Sequence, residues 1–365
     1  MIAAGALLSS CSYSPKAQLQ QKLEGAVACK QYWFGHQDDL MYGHSWSAAA
    51  EIDFSLTRSD VYSVTGSYPG VLGIDLGGIE KDKEANLDGN PFSLVRAAIV
   101  KHHERGGLVT LSWHLDNPLT GGNAWDNSSD AAVASILPDG EGHEAFLVWM
   151  DRVAEFISSC RDSRGRQIPV IFRPWHELNG GWFWWGSKTC TPEQYNALWV
   201  MTWKYMVQEK GLQDMIWAIS PNAGEELFDS WTERYPGDEY VDLLGLDTYE
   251  HRGADQSAKQ ADEQFVTVTG KCLESLSEMA REHGKYLAVT EFGYESVPEQ
   301  NWWTEVMQKA VDGYPIAYAL AWRNASGLPG PHHYFAPWPG QISEADFVEY
   351  SNNGKVQFLH PNDIR

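Results

Sequence analysis

Ile168-Pro169-Val170-Ile171-Phe172-Arg173-Pro174-Trp175-His176-Glu177 changes character half-way, from an apolar, β-branched start to an arginine, a histidine and a glutamate. An apolar run this short and bounded by prolines reads as a strand buried on both faces, with polar residues collected at its C-terminal end. Tyr286-Leu287-Ala288-Val289-Thr290-Glu291 ends in the same way. Six more runs share the pattern: Tyr32–His36, Gly70–Asp75, Leu108–His114, Met215–Ser220, Val241–Asp247 and Ile316–Trp322. Eight buried strands alternating with helices predict a single-domain α/β protein, a (β/α)8 barrel, whose functional residues sit at the C-terminal strand ends. An open doubly wound sheet alternates similarly, but no glycine-rich phosphate fingerprint follows the first run.

The intervening segments carry helix punctuation. Phe146, Met150, Val153 and Ile157 recur at helical spacing and give the segment before the fourth strand one apolar face. Thr191-Pro192-Glu193-Gln194 supplies an N-cap, a first-position proline and a capping-box glutamine, with Gly211 as the stop. Asn90-Pro91 opens a helix closed by Gly106, and Val268, Cys272, Leu276 and Met279 stripe another that ends at Gly284. The connections 115–142 and 323–342 are longer than usual and follow strands, so they belong to the face that carries the strand ends. Trp125, Tyr334, Phe335 and Trp338 mark them as walls of a cleft.

Composition excludes whole classes of function. Lys and Arg number 27 against 49 Asp and Glu, a net charge of -22, and no basic cluster occurs, so no nucleic-acid partner is expected. The 17 Trp, 16 Tyr and 13 Phe exceed what a core calls for, since each buried indole N–H needs a partner, and sugar faces suit flat rings with polar rims. Residues 1–11 are short, apolar and end in small residues before a cysteine, and are expected to be a lipoprotein signal with Leu8-Ser9-Ser10-Cys11 as its lipobox. Residues 12–30 are expected to be a polar tether and residues 31–365 the barrel. Lipidation of Cys11 would make this an exported bacterial protein, periplasmic or anchored at the outer membrane, with a lipid as its membrane contact. Cys29, Cys160, Cys190 and Cys272 fit no zinc spacing and are expected to be buried thiols or one incidental disulfide.

The strand ends collect His36, Asp38, Asp39, Asp75, His114, Arg173, His176, Glu177, Asn222, Asp247, Tyr249, Glu291, Trp322 and Arg323 on one face. Glu177 and Glu291 are the pair that matters for chemistry. Cleaving a glycosidic bond takes a proton donor to the leaving oxygen and a second carboxylate across the anomeric carbon. A gap of about 5–5.5 Å gives retention through a covalent intermediate, whereas about 6.5–9.5 Å admits a water and gives inversion. No metal or cofactor is expected: His176-Glu177 lacks the second histidine of a zinc motif.

Phe172–Glu177 with Gly181–Gly186, Val289–Gly293, Gly35-His36-Gln37-Asp38-Asp39, Leu246–Tyr249 and Leu320–Asn324 together resemble glycoside hydrolase family 26, best known for β-1,4-mannanases. The resemblance covers nearly the whole chain after the expected tether. It implies a retaining hydrolase of mannan, galactomannan or glucomannan, with Glu177 as acid/base and Glu291 as nucleophile. It further implies that Tyr249 and Arg173 hold the nucleophile, that His114 and His176 contact the reacting sugar, and that Trp322 lies under that ring. Arg323 would reach the next ring outward, and Asp247 would order local polar partners. Trp182 and the indoles after it are expected to form an apolar wall that raises the Glu177 pKa. A β-xylanase or mixed-linked β-glucanase of the same family, and a non-catalytic glycan-binding lipoprotein, are the alternatives.

Overall fold

The computed structural model describes residues 14–224, 228–325 and 333–360. All eight expected runs are strands: β1 (Tyr32–Gln37), β2 (Val71–Asp75), β3 (Leu108–Ser112), β4 (Ile171–Arg173), β5 (Ile216–Ile219), β6 (Leu243–Glu250), β7 (Tyr286–Tyr294) and β8 (Tyr318–Ala321). Each pairs in parallel with the next, and β8 closes on β1 from Trp33↔Tyr318 to His36↔Ala321, which makes the (β/α)8 barrel. A further strand, Val356–Leu359, runs along the start of β1 and joins it antiparallel to Tyr68–Pro69.

The expected tether is largely a helix. α1 (Pro15–Ala28) is N-capped by Ser14, and Leu19, Leu23 and Ala26, spaced one turn apart, form its buried stripe. Leu19 and Leu23 pack on Val71, Leu108, Ile171, Ile216, Leu243 and Ala288, so the helix stoppers the N-terminal end of the barrel. The polar residues of Pro15–Ala28 lie around the rest of this helix, outside the buried stripe. Cys11 and the expected signal, including its lipobox, lie outside the described residues.

The other helix readings hold where their punctuation was local. α2 (Phe92–Glu104) follows Pro91, and α3 (His143–Ser159) buries Phe146, Met150, Val153 and Ile157. α4 (Pro192–Lys204) has the full Thr191–Gln194 capping box. α5 (Ala258–His283) stops at the left-handed Gly284 and starts at a second capping box, Ser257 with Gln260, well before the stripe that announced it. Among the described residues no helix is long and apolar enough to cross a membrane. Cys29 is an exposed free thiol and Cys160, Cys190 and Cys272 are buried ones, with burial pushing Cys160 up to about 12.

Candidate active site

Glu177 is delivered by a strained turn. Beyond β4 both Trp175 (φ +54°) and Glu177 (φ +52°) are left-handed, which costs about 1–3 kcal/mol for each non-glycine residue. The Tyr195 hydroxyl donates to the Trp175 carbonyl at 2.8 Å, Trp185 Nε1 to the His176 carbonyl at 2.8 Å, and Glu177 N to the Ser220 carbonyl at 2.7 Å. Trp184 and Trp185 are fully buried, so this part of the indole-rich tail braces the turn and does not face a ligand. Gly180 lets Trp182 fold back: a Cβ there would lie 2.4 Å from the indole ring. The indole N–H then donates to Glu177 Oε2.

Glu291 is aimed by a bulge. In β7 the register against β6 shifts between Val289↔Leu246 and Glu291↔Asp247, leaving Thr290 as the extra residue. Thr290 Oγ1 consequently donates to Asp247 Oδ1 at 2.6 Å, while Glu291 points to Arg173 and Tyr249. Arg173, 2% exposed, donates to Glu291 Oε1 and at 2.8 Å to Asp247 Oδ2, and the Tyr249 hydroxyl reaches Glu291 Oε2 at 2.8 Å. Ser220 Oγ adds a bond to Asp247 Oδ2 at 3.0 Å. Behind this set Phe335 meets Tyr249 edge-on with ring centroids 5.8 Å apart.

One oxygen each of Glu177, Asp247 and Glu291 lie within 4.8 Å of one another. Glu177 and Glu291 therefore have oxygens close enough to face one reacting centre from two sides. Burial, then the charges of Glu291 and Asp247, push the Glu177 pKa well above the usual carboxyl range. Trp182 works against that rise, because its N–H stabilises the carboxylate. Burial is thus the main reason that Glu177 keeps its proton, with the neighbouring carboxylates adding to it, and the expected wall is corrected only at Trp182, whose N–H moderates the rise. Burial pushes Asp247 up to about 7 against the pull of Arg173. These three carboxylates are close enough to share a cation, but the Arg173 guanidinium already supplies positive charge to two of them.

His114 and His176 meet at 3.0 Å between their Nε2 atoms, and the half-exposed Trp125 stacks on His114 at 5.4 Å. Trp322 stands 6.2 Å from His114, at the end of β8. Arg323 pairs with Asp88 in the loop after β2, a partner that no local sequence signal announced. Four of the strand-end residues turn elsewhere: His36 pairs with Asp39, Asp38 accepts from Tyr42, and Asn222 is tied to Asn179. Ser220 and Thr290, which order Asp247, escaped sequence reading because isolated hydroxyls in buried strands look like packing.

Residues 28–311 match the sequence profile of glycosyl hydrolase family 26. The chain belongs to this family. Among solved family structures, a β-mannanase from Bacteroides ovatus superposes with a TM-score of 0.88 at 41% identity over 96% of each chain. A modular endo-β-1,4-mannanase from Cellulomonas fimi gives 0.81 at 31% identity, over 96% of this chain and 77% of that one. A mannan endo-1,4-β-mannosidase from Bifidobacterium adolescentis is 32% identical over 339 residues, 87% of this chain and 33% of the relative. This chain thus spans a third of that relative's length, and 62% of the Bacillus subtilis mannan endo-1,4-β-mannosidase that it also matches.

Proposed function

We propose that this chain is a mannan endo-1,4-β-mannosidase that cleaves β-1,4-mannosidic bonds with retention. The observation that carries the reading is the pair of carboxylates within 4.8 Å, one kept protonated by its surroundings and the other held by Arg173 and Tyr249. Glu177 gives its proton to the glycosidic oxygen as Glu291 attacks the anomeric carbon, so the C–O bond to the leaving chain breaks and a Glu291 ester forms. Glu177, now a carboxylate, takes a proton from water, whose oxygen displaces Glu291 from the same carbon. Arg173 and Tyr249 orient the attacking carboxylate, which leaves less reorganisation for the transition state. Trp125, Trp182 and Trp322 offer ring faces to the bound chain, and Arg323 with Asp88 receives the ring beyond the reacting one. The names of the relatives support mannan as the substrate.

The test is a time course of reducing ends on unbranched β-1,4-mannan, with β-xylan and mixed-linked β-glucan in parallel. Release from mannan is expected, and its loss in Glu177→Ala and Glu291→Ala. Release from xylan or glucan alone would reassign the substrate, and inertness on all three would leave a glycan-binding protein. The localisation part of the proposal, export with a lipid on Cys11, rests on the lipobox. Its expected outcome is fatty-acid labelling of the exported full chain that Cys11→Ser abolishes.

A further inference from the structure

Asp75 ends β2, is 1% exposed, and accepts four hydrogen bonds. On Oδ1 they come from the backbone N–H of Gly77 at 2.7 Å and of His114 at 3.2 Å. On Oδ2 they come from Ser112 Oγ and His114 Nδ1, both at 2.6 Å. Burial opposes the charge on Asp75, but His114 and the other donors outweigh it and hold the pKa at about 2. An ionised Asp75 places a proton on His114 Nδ1.

The consequence passes to a second ring. His114 Nε2 faces His176 Nε2 at 3.0 Å, and two imidazole nitrogens at that distance share one proton. His176 is 1% exposed, and its Nδ1 has no hydrogen-bond partner. Burial, with the Arg173 guanidinium as a charged neighbour, pushes the His176 pKa well below the ordinary imidazole range. A proton on its Nδ1 would be an orphaned buried N–H, a rarer and costlier defect than an unused lone pair. The proton therefore sits on His176 Nε2 and is donated to His114.

We propose that Asp75 is a positioning residue: through His114 Nδ1 it sets one tautomer in each of two adjacent imidazoles, and the resulting Asp75–His114–His176 hydrogen-bond chain fixes the orientation of both rings beside the reacting centre. The inference rests on the glycosidase reading of this cleft.

Two measurements test it. In wild-type protein with ¹⁵N-labelled histidine, nitrogen–proton correlation spectra at neutral pH should show His114 protonated at Nδ1 alone and His176 at Nε2 alone. A doubly protonated His114, or a proton on its Nε2 only, would overturn the inference, and this readout needs no variant to fold. In Asp75→Asn the two backbone N–H donors keep the amide oxygen, so the amide NH₂ faces His114 Nδ1 and forces the opposite tautomer. The kcat/KM on β-1,4-mannan should fall on the order of 100-fold or more, with the His114 signals inverted. A fully active Asp75→Asn beside an active wild type would sink the proposal. A wild type inactive on mannan, xylan and mixed-linked glucan would instead sink the glycosidase reading.

Discussion

The two ends of the same eight strands are built on opposite terms. At the floor, Leu19 and Leu23 of α1 close the barrel against Val71, Leu108, Ile171, Ile216, Leu243 and Ala288, with polar bonds such as Lys16 to Asp242 at the rim. At the mouth, Glu177, on a turn with two left-handed residues, crowds with the strand residues Asp247 and Glu291 within 4.8 Å beside Arg173. Burying one leucine contributes about 1.5–3 kcal/mol, close to the cost of one such residue. A barrel so arranged keeps stability and chemistry at separate ends. Substitutions at the mouth should therefore change rate with little loss of stability, and substitutions at the floor the reverse.

The largest expected break is Glu291→Ala, which removes the attacking carboxylate. Reducing-end release from mannan should fall on the order of 10⁵-fold while thermal unfolding stays within a few degrees of wild type. Glu177→Gln comes next, losing about 10²–10⁴-fold of turnover with the general acid. This variant also tests the electrostatics. Because the folded-state pKa of Glu177 is raised, its stabilising contribution is full below the ordinary carboxyl pKa and is lost as pH rises through the raised value. Calorimetry should find Glu177→Gln gaining on wild type from acid to alkaline pH, and a constant difference would contradict the burial account.

Tyr249→Phe removes one hydrogen bond to the charged nucleophile, about 1.5–3 kcal/mol, so kcat should drop about 10- to 100-fold with a nearly unchanged melting temperature. At the floor, Leu23→Ala should lower stability by about 2–5 kcal/mol in denaturant unfolding and leave kcat as it is at temperatures where the protein stays folded. The smallest effect is the most discriminating about Trp182. Trp182→Phe takes away the N–H that favours the Glu177 carboxylate, so the alkaline limb of kcat/KM should move to higher pH. A downward move would mean that the indole raises the pKa as an apolar wall after all.

What the sequence revealed follows the same division. Buried parallel strands announce themselves as apolar runs, and their C-terminal residues locate the mouth, so the barrel, Glu177 and Glu291 were legible. Tyr249 and Arg173 became legible through the family motifs. The floor was hidden, since only Leu19, Leu23 and Ala26 of α1 form its buried stripe within a polar stretch. Also hidden were the left-handed Trp175 and Glu177, which carry no glycine, and the bulge at Thr290, which looks like any strand residue. The pairing of Arg323 with Asp88 joins loops far apart in the chain, and the sign of the Trp182 effect depends on where one N–H points. These are properties of tertiary geometry, without a local pattern.

The measurement that bears most directly on the carboxylate pair is the anomeric form of the first product, followed by proton NMR within the first minutes of cleavage of a β-1,4-linked mannan oligosaccharide. Attack by Glu291 and then by water at the same carbon predicts the β-anomer first, with the α-anomer growing in by mutarotation. The α-anomer appearing first would mean a single displacement by water and would contradict the account.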